Sequence, residues 1–186
     1  MVDLIEIQAA YYMVAATGVL IAVVYYVMVL RANEKNKKIQ LSTNIAERLN
    51  IKDYHGNFWD LAFLDWSDVD DFMKRYDSSA NTKDAREIFI KRWSIWNIYD
   101  NLGYLLRKNL VDEEVMYNST SRYCIFLWGR YWPVIDHYRR TELGPDFLKN
   151  YEYLARRMWE MSKEHGSTMP FDRYRDVFEP KSASPP

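Results

Sequence analysis

The 186-residue sequence is short of several things, and each shortage removes a class of function. It has one cysteine, Cys124, which excludes an internal disulfide framework and a cysteine-based zinc site. Its three histidines (His55, His137 and His165) lie far apart, with no HExxH or similar spacing. It has no excess charge of either sign: 25 Lys and Arg face 26 Asp and Glu, for a net charge of −1. That balance argues against a nucleic-acid binder, which carries a basic face. Neither GxxxxGK[ST] nor GxGxxG occurs, so the loops that cradle phosphates are missing. No stretch sustains period-two alternation bounded by turn residues, so strands are not expected.

What is present is greasy and aromatic. Hydrophobic residues make up 48% and aromatics 16%, which excludes a disordered polyelectrolyte. The length suits one compact domain with attachments. The strongest signal is the 24-residue run Ile7–Leu30, which contains no formal charge. As a helix it covers about 36 Å, enough for the roughly 30 Å hydrocarbon layer with some tilt. Tyr11 and Tyr12 at one end, and Tyr25 and Tyr26 at the other, suit the two interfaces. A cleaved signal peptide fits worse: the leading segment is acidic (Asp3, Glu6), the apolar run is too long, and it ends without small residues.

Every Lys and Arg falls after position 30, and Arg31, Lys35, Lys37 and Lys38 follow the run directly. Because cytoplasmic flanks collect Lys and Arg, this predicts a cell-membrane protein with its N-terminus outside and the remainder cytoplasmic. The same four residues are placed to touch anionic lipid headgroups, although a plain stop-transfer flank explains them as well. Within the run, Gln8, Tyr11, Ala15, Gly18, Ala22, Tyr25 and Val29 share a face by three- and four-residue steps. Gly18-xxx-Ala22 is a small-xxx-small pair that lets two helices approach closely. Tyr11, Ala15, Gly18, Ala22 and Tyr25 are therefore the candidate contact face for a second copy or another membrane protein.

Beyond the run the pattern is helical, giving an expected all-α fold. An anchor (1–30) continues into a juxtamembrane stalk (31–50), then a helical domain of about five or six helices (51–165) and a loose tail (166–186). The first helix is expected to end near Leu49, with a break at His55-Gly56-Asn57. A short helix carrying Phe58, Trp59, Ala62 and Phe63 follows, and Ser67 with Asp70 reads as the cap of another ending near Tyr76. Thr82 caps the expected longest domain helix, ending near Asn109, with an apolar arc broad enough to pack on two sides. Asp112 caps the next, with Val111 stapled against Met116. Pro133 either kinks that helix or opens a new one at its first turn, and Trp132-Pro133 favours the latter. Gly144-Pro145 stops and restarts the chain, and the last helix presents Phe147, Tyr151, Leu154, Met158 and Met161. Phe171, Tyr174, Val177 and Phe178 have helical spacing and are expected to pack back onto the domain rather than dock on a partner.

Candidate chemistry is sparse. Asp68-x-Asp70 resembles the opening of a calcium loop but lacks its glycine and closing Glu, so caps explain it better. Asp100 lies in an apolar run and should meet a partner, since unpaired burial is costly. Arg92, Arg130, Arg139 and Arg140 are the candidates. Asp100 with Arg92 and Arg130 thus marks either a buried ion pair or an aromatic-lined pocket. Cys124 reads as inert packing, and Asn118-Ser-Thr120 matches a glycosylation acceptor that a cytoplasmic location would leave unmodified. No catalytic, metal or cofactor-binding residue is assigned.

Trp96-x-x-Tyr-Asp100-x-x-Gly103, Leu105-Leu-Arg-Lys-x-Leu-Val-Asp112 and Phe126-Leu-Trp128, behind an N-outside anchor, carry a resemblance. The chain, to about Lys163, resembles a family of uncharacterised archaeal and bacterial single-pass membrane proteins with a helical cytoplasmic domain of unknown function. The resemblance implies an all-helical domain and brings no activity. The functional expectation is a membrane-tethered interaction or scaffold module. Its rivals are a small-ligand receptor or enzyme using a pocket around Asp100, and a dimerising signalling accessory.

Overall fold

The computed structural model describes residues 3–49, 52–167 and 172–179, and among these the regular structure is entirely helical. Seven α-helices occur: α1 (Leu4–Leu49), α2 (Lys52–Ala62), α3 (Val69–Tyr76), α4 (Lys83–Arg107), α5 (Glu113–Thr141), α6 (Lys149–Glu164) and α7 (Arg175–Phe178). Short 3₁₀ turns precede α4 (Ser78–Ala80) and α7 (Asp172–Tyr174). The chain divides into two compact units, Met1–Leu41 and Ser42–Pro186.

The first unit holds α1 as far as Leu41, apolar to Leu30 and charged beyond it. Its side chains from Leu4 to Leu30 are almost all exposed, including Ile21 at 64% and Tyr25 at 68%. Thr17, a polar group inside the run, donates its hydroxyl to the Met13 carbonyl at 2.8 Å, so the helix satisfies it internally. α1 continues without interruption to Leu49, as the lack of Gly and Pro after Gly18 predicts.

In the second unit the core is built by α4, α5 and α6, with α2 and α3 laid across them. α4 and α6 form the most extensive pair, then α5 and α6. Gly103 makes the first of these possible. A Cβ there would fall 1.9 Å from the Asn150 carbonyl oxygen, so α6 approaches the bare backbone of α4. Trp96, Tyr99, Trp128, Tyr131 and Tyr151 are fully buried, with Tyr99 stacked on Tyr151 at 4.9 Å and Trp128 edge-on to Tyr151 at 4.8 Å. The end of α1 joins this unit through Leu49, which is buried, and Ser42, whose Oγ accepts the Asp112 backbone N–H at 2.7 Å.

Several local expectations need correction. The break expected at His55-Gly56-Asn57 is absent: α2 runs through it. Glycine in a helix costs about 1 kcal/mol, which burial of Tyr54, Phe58 and Leu61 on the core outweighs. Residues 50 and 51, between α1 and α2, lie outside the described residues. The cap of α3 is Asp68 rather than Ser67. Its carboxylate accepts the Asp71 N–H at 2.9 Å, while Asp71 accepts the Ser67 N–H at 3.2 Å, a reciprocal box shifted by one position. Pro133 does not open a helix, because α5 passes through it and is longer than α4. Buried Tyr131, Val134, Ile135 and Tyr138 on either side hold the helix together across the missing N–H. Phe147 stands just before α6, which starts at Lys149 after a left-handed Leu148. By contrast, residues 172–179 fold onto the domain with Phe178 buried, as the helical spacing of Tyr174, Val177 and Phe178 predicts. Phe171 and residues 180–186 of the tail lie outside the described residues.

Thr82 and Asp112 cap α4 and α5, accepting the Ala85 N–H at 3.0 Å and the Val115 N–H at 3.0 Å.

Candidate functional site

α5 begins with a polar face, Asn118, Ser119, Ser121 and Arg122, before its aromatic second half. Two adjoining clefts open along this face. One, of about 260 Å³, is lined by Ala46, Leu49, Tyr54, His55, Ser119 and Tyr123. The other, of about 400 Å³, is lined by Tyr117, Asn118, Ser119, Ser121, Arg122, Tyr123 and Ser167. Ser119 and Tyr123 belong to both, so they form a shared wall. His55 is edge-on to Tyr54 at 5.5 Å and to Tyr123 at 5.8 Å, which fixes its ring in the first cleft. Beside the second cleft, His165 stacks on Tyr117 at 4.7 Å and pairs with Glu114 at 3.0 Å. The hydrogen bond to the Met161 carbonyl raises the His165 pKa against the opposing effect of desolvation, and Glu114 adds to the rise.

Several polar groups beside these clefts are already engaged within the fold. Ser119 donates its hydroxyl to the Val115 carbonyl at 2.5 Å and Thr120 to Met116 at 2.8 Å, so both protons are engaged by their own helix. Tyr54 hydrogen-bonds Tyr99 behind the cleft, and burial pushes both phenols well above their usual range. Burial likewise raises the Cys124 thiol, keeping it protonated and unreactive. Among the described residues no three His, Cys, Asp or Glu side chains come together as a metal cage. Asn118-Ser-Thr120 lies inside α5 with Thr120 buried, an unsuitable conformation for glycosylation, which favours loops.

The residues singled out around Asp100 separate. Asp100 forms no ion pair among the described residues; it accepts the backbone N–H groups of Asn150 and Tyr151 and the Asn150 amide, each at 3.0 Å. It caps α6, whose own N-cap position, Leu148, offers no side-chain bond. A carboxylate at a helix N-terminus is stabilised by the exposed N–H groups there, which is why no arginine is needed. Arg130 donates to the Leu64 carbonyl, and Arg139 to Phe147 (2.8 Å) and Glu152 (2.7 Å). Arg140 pairs with Asp136 at 2.7 Å. Neither cleft is lined by Asp100, Arg92 or Arg130.

Arg92 is the buried cation, and its carboxylate is Asp77. It donates to the Tyr138 hydroxyl at 2.9 Å, with Asp77 Oδ1 3.8 Å away, and Tyr138 in turn donates to Asp77. The guanidinium also lies over the rings of Phe72 at 4.8 Å and Trp96 at 5.0 Å. Burial by itself would raise the Asp77 carboxyl, but hydrogen bonds from Tyr138 and Ser79 hold it below the ordinary aspartate value. This cluster joins α3, α4 and α5 and is architectural.

On α1, Tyr11, Ala15, Gly18, Ala22 and Tyr25 are exposed, and a Cβ built on Gly18 meets nothing within 4 Å. Arg31, Lys35 and Lys37 are exposed and Lys38 is half-buried. Sequence reasoning missed the cleft residues Asn118 and Arg122. Their signal is a polar i, i+4 pair in a helix that is aromatic elsewhere.

An apolar N-terminal helix and an aromatic helical core with clefts along α5 define an all-α protein. The chain belongs to the family described as a domain of unknown function, DUF4760, which matches residues 12–158. The match starts inside the apolar half of α1, so most of that segment is part of the family's shared sequence. No curated protein and no solved structure matches the chain.

Proposed function

We propose that this protein is a membrane-tethered helical interaction module. The apolar half of α1 anchors it in the cell membrane with the N-terminus outside, and residues 42–186 hold a partner near the inner leaflet. Arg31, Lys35, Lys37 and Lys38 lie at the cytoplasmic headgroups. The observation that carries the reading is that α1 is long and apolar enough to cross a bilayer, with none of its most apolar 18-residue window buried. Leaving the ten Leu, Ile and Val side chains of Ile7–Leu30 in water forgoes on the order of 20 kcal/mol, at about 1.5–3 kcal/mol each. Soluble monomers rarely expose apolar patches of that extent.

The test is alkaline carbonate extraction of native membranes combined with protease digestion of a C-terminal epitope tag. Retention in the pellet, with the tag cleaved only after the cells are opened, supports the reading. Release into the supernatant, or cleavage on intact cells, overturns it.

A second reading, a receptor for a small polar ligand, is favoured by the two clefts that share Ser119 and Tyr123. There Arg122 and Asn118 would supply the polar contacts and Tyr117 and Tyr123 the walls. Ligand-induced thermal stabilisation that Arg122→Ala abolishes would separate it from the first.

A further inference from the structure

We propose that the α5–α6 face formed by Phe126, Gly129, Arg156, Trp159 and Lys163 is a recognition groove for a short peptide of a partner protein. The peptide carries two aromatic residues four positions apart, with a carboxylate directly after the second. The chain's own Tyr174, Phe178 and Glu179 occupy the groove in cis and show its complement. The inference deepens the interaction reading, on which it rests, by naming the partner's chemistry.

The groove has three parts. Gly129 makes a slot for the first aromatic ring: a Cβ at this position would fall 2.4 Å from the Tyr174 ring, so any side chain would close it. Phe126 meets Tyr174 edge-on at 6.0 Å and completes the slot. The second aromatic ring, Phe178, stacks face to face on Trp159 at 4.7 Å, with 7° between planes, and is 7% exposed. The carboxylate of Glu179 is received by Trp159 Nε1 at 3.2 Å and Lys163 Nζ at 2.8 Å. Arg156 Nη1 donates to the Phe178 carbonyl at 3.2 Å, a main-chain contact that any peptide can make.

Two observations distinguish this from ordinary tail packing. α7 has only four residues, far below the length at which a helix holds itself together, so the groove imposes its conformation. Phe126, Gly129 and Arg156 fall within residues 12–158 of the shared family sequence, whereas Trp159 and Lys163, like the occupant residues Tyr174, Phe178 and Glu179, fall beyond it. The slot for the first ring and the main-chain contact of Arg156 thus belong to the common domain, and the occupant lies outside the matched residues. A tethered occupant competes at an effective concentration in the millimolar range, so the cis segment masks the groove until a partner segment outcompetes it.

The test uses the full chain in detergent micelles and a fluorescently labelled peptide spanning residues 172–179, read by anisotropy. Tyr174→Ala with Phe178→Ala empties the groove without touching its walls. That variant is expected to bind the peptide at least about tenfold more tightly than the unaltered chain does. Adding Gly129→Ala should abolish binding, and adding Lys163→Ala instead should weaken it about threefold. Lys163 is exposed, so its replacement leaves the core intact; unchanged far-ultraviolet circular dichroism checks the others. No binding by the emptied variant, or equal binding after either addition, overturns the proposal. Because the assay needs no bilayer, failure here with α1 still carbonate-resistant removes the groove alone. Loss of membrane retention with peptide binding preserved removes the anchor alone.

Discussion

The apolar half of α1 and the helix α5 are both rich in large hydrophobic side chains, yet one buries none of its most apolar window and the other buries Trp128, Tyr131, Val134 and Ile135 completely. The difference lies in pattern rather than amount. In α5, polar residues recur at helical spacing, so Arg122 and Arg140 face out while Cys124, Ile125 and Tyr138 face in. Between Ile7 and Leu30 no side is charged, so no side can face water at low cost. Burial in one region is supplied by neighbouring helices, and in the other the described residues supply none.

Breaking the packed region has the largest expected effect. Arg92→Ala leaves Asp77 and Tyr138 buried without their cation and opens a cavity, and should destabilise the domain by about 3–5 kcal/mol in chemical denaturation. Arg92→Lys should rescue little, since a point charge replaces the planar fork. Breaking the other region comes next: Ile21→Arg should cost about 2.5–3.5 kcal/mol of insertion at mid-span. It should lower the carbonate-resistant fraction without emptying the pellet, while the domain's denaturation midpoint stays put. Gly103→Ala should cost about 1–3 kcal/mol, because Asn150 must move away from the new methyl group. That loss is confined to the domain and leaves membrane retention unchanged.

Acid sharpens the contrast further. Asp77 and Glu152 both titrate below the ordinary carboxylate range; for Glu152, burial is outweighed by hydrogen bonds from Arg139 and Arg156. Groups with depressed folded-state values contribute stability fully above the unfolded value, near 4, and lose it as the pH falls through the folded one. Domain stability should therefore fall below about pH 4, and Asp77→Asn should flatten part of that fall. Membrane retention should stay level across the same window, because the span carries no carboxylate. The smallest effect concerns contacts within the bilayer. Gly18→Ile with Ala22→Ile should abolish span-to-span crosslinking with no change in domain stability. Persisting crosslinks would remove that face as a contact.

The helical class and most helix ends were legible because their signals are local: Thr82 and Asp112 cap as their positions suggest, and α1 ends at Leu49. Gly56 and Pro133 misled for one shared reason. Each is a breaker by propensity, and in each case the helix is held by core contacts whose partners are far away in sequence. Asp100 misled differently. An acid in an apolar run announces a buried partner without saying which, and the partner is a helix end 50 residues on. The clefts were illegible because their walls come from α1, α2, α5 and the segment after α6 together.

That borrowed cap at Asp100 has a kinetic side. With Leu148 unable to cap it, the first turn of α6 is completed only when α4 is already beside it, so α6 cannot fray or reform independently. The amides of Asn150 and Tyr151 should consequently exchange with solvent deuterium only through openings that also separate α4 from α6, at the pace of the slowest protons in the bundle rather than of a helix terminus. Asp100→Ala would return them to the fast-exchanging class, uncoupling one end of the bundle from its cooperative unfolding.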